Sequence, residues 1–121
     1  MKTGSESELN SIPGAYTRER FLWMQYAAKK IGNIVVREYD HTDIHELAQY
    51  VDLEWEANRK LHNAGIGNTA LKTPSEITEK AERHVAEGKI LVSIEYPKTQ
   101  DLERFWRKTF SIFRQPPWIN D

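Results

Sequence analysis

Gly88-Lys89-Ile90-Leu91-Val92-Ser93-Ile94-Glu95-Tyr96-Pro97 is the stretch that decides the fold. Ile90, Val92, Ile94 and Tyr96 alternate with Leu91, Ser93 and Glu95. That period of two is the mark of a strand with at least one packed face. Pro97, which has no N–H to donate, ends it. On its N-terminal side, Gly88 closes a helical pattern that begins at Thr73-Pro74-Ser75-Glu76: a threonine cap, proline in the first turn, and glutamate three residues after the cap. On its C-terminal side a further helix is expected from about Thr99 to Phe113, with Leu102, Phe105, Trp106, Thr109, Phe110 and Phe113 on its core face.

Further out, residues 64–73 read as a loop. Asp43 with Glu46 has capping-box spacing and opens a helix that reaches about Asn63, with Ile44, Leu47, Val51 and Trp55 as its apolar stripe. Ile34 to Tyr39 is short and β-branched and follows Gly32, so it reads as a second strand. The first helix runs from about Thr17 to Ile31. Gly32, Gly65 and Gly88 each follow a helical pattern, where glycine takes the left-handed conformation that closes a helix. Residues 1–14 are polar, contain Gly4, Pro13 and Gly14, and read as a flexible arm. The expectation is one α+β domain over residues 15–121. Its order is helix, strand, helix, helix, strand, helix, mainly helical, with a small two-stranded sheet and a Pro-Pro-Trp tail. Trp55 and Trp106 are the expected core anchors.

The chain has 121 residues, the size of one domain. It has no cysteine, which removes disulfide scaffolds, thiol catalysis and iron–sulfur clusters together. Lysine and arginine total 17 against 18 aspartate and glutamate, a formal net charge of −1. That sum argues against a histone-like wrapper and an acidic nucleic-acid mimic alike. No apolar run approaches the ~20 residues of a membrane span, and the first twelve residues lack the apolar core of a signal peptide. A cytoplasmic domain with no membrane role is expected.

The near-zero total hides segregation. Residues 38–56 carry seven acids and no lysine or arginine, whereas residues 15–37 carry five basic side chains and one acid. Within the acidic block, His45, Gln49, Asp52 and Glu56 fall in one stripe of a helix. His41, Asp43 and His45 are the candidate metal ligands. The set is incomplete in any one turn, so no metal or other cofactor is expected. No serine stands in a nucleophile elbow, and Gly65-Ile66-Gly67 follows a helix without a Walker lysine, so a non-enzymatic protein is expected. In the last helix Arg104, Arg107, Lys108 and Arg114 interleave with aromatic residues, a pattern that can grip nucleic acid. The helix–strand–helix–helix–strand order is similar to that of a winged helix. A 20-residue second helix, a ten-residue connection and the lack of a wing strand after Tyr96 depart from it.

Charge blocks and apolar anchors recognise partners without catalytic parts. The expected function is therefore a protein-binding regulator or adaptor. It would meet a basic surface of another protein through Asp43, Glu46, Asp52, Glu54 and Glu56, with Trp118 as a second anchor. The alternatives are nucleic-acid binding through the last helix and, third, a metal-assisted hydrolase around His41 and His45. The apolar residues spread around the first helix also lead to an expected homodimer.

Overall fold

The computed structural model describes residues 10–65 and 70–114. Trp118 and the rest of the Pro-Pro-Trp tail lie outside them. The elements in chain order are β1 (Asn10–Thr17), α1 (Arg18–Ile31), β2 (Val35–Tyr39), α2 (Ile44–Asn63), α3 (Pro74–Ala86), β3 (Lys89–Tyr96) and α4 (Thr99–Arg114). The fold is α+β, with a three-stranded antiparallel sheet in the order β1-β3-β2. β1 and β2 are parallel to each other, and β3 fills the gap between them.

The expectation of two strands and of an arm extending to residue 14 is thus corrected, because Asn10–Gly14 belong to β1. Sequence periodicity does not show this strand. Pro13 and Gly14 interrupt it, and they are tolerated because β1 is an edge with a single neighbour. Gly14 also leaves room for a neighbouring side chain. A Cβ there would come within 2.8 Å of the Tyr16 ring, which lies across it.

β3 is the hydrophobic centre of the molecule. Its residues from Ile90 to Ile94 are all buried, which is why the stretch reads as a nearly continuous apolar run. Ile90, Val92 and Ile94 join Phe21, Met24, Ala27 and Ala28 of α1, Ile34, and Phe105 and Ile112 of α4 in one core. On the opposite face Leu91 joins Tyr39, Tyr50 of α2 and Ala81 of α3 in a second, smaller core. The molecule is therefore three layers: α1 and α4, the sheet, and α2 with α3. Trp23 of α1 packs on Phe113 of α4 with ring centroids 4.8 Å apart. Much of the excess apolar surface of α1 is thereby met within the chain, and Leu22 is the exposed remainder.

The helix signals have the expected chemistry. Thr73 and Glu76 form a reciprocal capping box with Pro74 in the first turn. The glycines that close the helical patterns, Gly32 and Gly88, have φ of 80° and 88°. The stripe of α2 differs from the expectation. Ile44 is 76 % exposed and Trp55 only half-buried, while Tyr50, Val51 and Asn58 are buried. Asn58 is accommodated because it donates to the Ala70 carbonyl at 2.9 Å and accepts from the Lys72 N–H at 2.8 Å, pinning the connection to α3. Trp106 is half-buried too, and Phe105 takes the fully buried place in α4. Phe110, expected on the core face, is 57 % exposed.

Candidate functional site

The face of the sheet toward α2 is organised in rows set by strand register. Ala15, Leu91 and Tyr39 form the innermost row under Tyr50, with Leu91 and Tyr39 buried and Ala15 partly so. The next row is Pro13, Ser93 and Arg37, and beyond it come Ser11, Glu95 and Val35. Apart from the exposed Val35, these outer rows are small or polar, so α2 has little to pack on there. An open cleft of about 490 Å³ results, lined by Ser11, Arg37, Tyr39 and Glu95 from the sheet and by Gln49, Asp52, Leu53 and Glu56 from α2.

Its polar groups are partly fixed. The Tyr39 and Ser93 hydroxyls share a buried hydrogen bond of 2.9 Å at the inner end. The Arg37 guanidinium lies 4.7 Å over the Tyr39 ring and donates to the Gln49 side-chain oxygen at 3.0 Å, bridging β2 and α2. Among the described residues, Asp52, Glu56 and Glu95 are in no ion pair. The Ser11 hydroxyl oxygen, also on the cleft wall, is buried without a hydrogen-bond partner among those residues. Three carboxylates thus face one guanidinium already held by its neighbours, and the cleft is a sink for positive charge.

The structure divides the acidic block that the sequence presents as one feature. Asp43 is the N-cap of α2, where its carboxylate accepts from the His45 and Glu46 N–H groups. Glu46 accepts from the Asp40 N–H at 2.8 Å. Both carboxylates are therefore engaged at the helix start. Two hydrogen bonds from Thr42 hold the exposed Asp40 carboxyl below its ordinary value. Glu54 turns toward α3, with an oxygen 3.8 Å from the Lys80 ammonium. Glu38 lies 3.5 Å from Arg18. Only Asp52 and Glu56 reach the cleft, where Glu95 joins them from β3.

His41 and His45 are exposed. Among the described residues no group of three or more His, Asp or Glu could hold a metal ion, so His41, Asp43 and His45 do not assemble into a site. On α4, Arg104, Arg107, Lys108 and Ser111 line a shallow depression with Ile31 of α1. Arg104 lies 3.7 Å from Asp101. Arg107, Lys108 and Arg114 are in no ion pair among the described residues.

Sequence reasoning reached Gln49, Asp52 and Glu56 through their shared helical stripe. Arg37 and Glu95 carry a usable signal, since each stands an even number of residues from a core residue of its own strand, Tyr39 or Leu91, and so shares that residue's face. Ser11 carries none, because residues 1–14 show no apolar period that marks a strand. Comparison with protein-family models, with curated proteins and with solved structures finds no match.

Proposed function

We propose that this chain is a protein-binding regulator or adaptor, and that its cleft between α2 and the sheet receives a lysine or arginine side chain from a basic partner. One observation carries the reading. Asp52 and Glu56 from a helix and Glu95 from the central strand line one cleft whose single cation among the described residues, Arg37, is already engaged. A cleft with low-dielectric walls focuses such a field more than a flat acidic face does. The buried Tyr39 ring closes the inner end of the cleft beneath Arg37.

Calorimetric titration with a hexa-arginine peptide tests the reading. The double variant Asp52→Asn/Glu56→Gln is compared with Glu79→Gln/Glu82→Gln on α3, which removes the same charge from exposed positions outside the cleft. The cleft variant is expected to bind about three- to tenfold more weakly, the scale of two partly screened ion pairs. The α3 variant should change little. Equal losses in both would show that only net charge attracts the peptide, and the reading would fail.

A further inference from the structure

We propose that the outer surface of α4 binds single-stranded nucleic acid, with Phe110 as the stacking platform and Arg107, Arg114 and Arg104 as phosphate contacts. The last helix is expected to present its aromatic residues to the core, and most of them obey. Phe110 does not. Its side chain is more than half exposed, although α4 has apolar surface to offer the sheet on its other side.

Arg107 and Arg114 stand three residues before and four after Phe110, so all three lie along one strip of the helix. Arg104, one turn before Arg107, continues the row of guanidinium groups on the side away from Phe110. The Phe110 ring is held by neighbours from its own helix. Trp106 stacks on it at 5.9 Å with the planes 25° apart, and Phe113 meets it edge-on at 6.0 Å. A ring fixed in this way loses little freedom when a base stacks on it. The two halves of the patch match the two halves of a nucleotide chain, guanidinium groups for the phosphates and an exposed aromatic side chain for a base. A duplex hides its π-faces, so an unpaired strand is the better fit. The patch shares no residue with the acidic cleft, and the failure of either assignment leaves the other standing.

The test is fluorescence anisotropy of a labelled thymidine 12-mer with the full chain. Binding is expected in about 50 mM salt, weakening as salt rises. Each phosphate contact contributes about −0.7 to the slope of log affinity against log salt. Phe110→Ala should weaken binding by about fivefold or more, as loss of one stacked base does. Phe110→Leu, which keeps an apolar side chain without a π-face, should weaken it similarly. Arg107→Gln/Arg114→Gln should lower the magnitude of the salt slope by about 1.4. Far-UV circular dichroism confirms folding of the variants. Three results would each overturn the proposal. One is duplex DNA bound as tightly as the single strand. Another is unchanged binding in Phe110→Ala. The last is a dimer in sedimentation that Phe110→Ala abolishes while oligonucleotide binding persists, which would give the patch to a second copy of this chain.

Discussion

The two sides of the sheet solve the burial problem differently. Toward α1 and α4 the core is large and mainly apolar, running from Phe21 and Met24 through Val92 and Ile94 to Phe105 and Ile112, with the buried Thr109 hydroxyl turned back onto the Phe105 carbonyl. Toward α2 and α3 it is small and centred on two tyrosines, Tyr39 and Tyr50, whose rings lie 5.8 Å apart. The hydroxyl of Tyr39 is satisfied by Ser93. Charge divides along the same line. α1 and α4 carry eight basic and three acidic side chains, against four basic and seven acidic on α2 and α3. The dry side carries the larger share of stability, because apolar area removed from water scales its contribution. The polar side leaves the outer sheet rows uncovered, and that is where the cleft forms.

A lesion in the dry core should break this contrast most severely. Phe105→Ala is expected to cost about 3–5 kcal/mol in urea unfolding, since its side chain is completely buried. Trp106→Ala should cost less, because Trp106 is half-buried and its stacking partner Phe110 is exposed. A larger loss for Trp106 would mean that the core of α4 lies elsewhere on the helix.

A smaller effect sharpens the account of the polar side. Tyr39→Phe removes one hydroxyl and leaves the buried Ser93 oxygen without that partner, at an expected cost of about 1–2 kcal/mol. Adding Ser93→Ala should recover part of the loss, because no polar atom is then stranded. Additive losses would show that Ser93 is satisfied in another way.

The smallest effect is a pH dependence. Burial, and after it the Glu54 carboxylate, raises the Tyr50 phenol well above its ordinary value of 10.0. Burial shifts Tyr16 in the same direction. As pH rises past 10, the unfolded chain releases these protons before the folded one. The stability they contribute is complete below that value and declines above it. Tyr50→Phe should flatten the decline by about 1 kcal/mol at a pH of about 11, read from urea midpoints. An unchanged slope would mean that the phenol is solvated in the folded protein.

Much of the secondary structure was legible because its signals are local. The capping box at Thr73 and Glu76, the glycine stops and the alternation from Ile90 to Tyr96 each involve neighbours in the chain. β1 was not legible. A strand containing Pro13 and Gly14 forms because an adjacent strand offers a hydrogen-bonding edge, and a sequence window does not contain that edge. The stripe of α2 was displaced for a related reason. Leu47 and Val51 fit several choices of buried face, and contact with Leu91 and Tyr39 selected the one that buries Tyr50.

The acidic block shows where the boundary falls. Its charge is a property of the sequence alone: seven acids in nineteen residues with no lysine or arginine among them. What each acid does was decided by tertiary structure. Asp43 and Glu46 satisfy N–H groups at a helix start, Glu38 and Glu54 meet cations from α1 and α3, and Asp52 and Glu56 are left facing the cleft. Glu95 joins them from a strand some forty residues away. Charge is additive along a chain, so composition determines it. Convergence depends on which faces two elements turn toward each other, and here burial around Leu91 and Tyr50 set that.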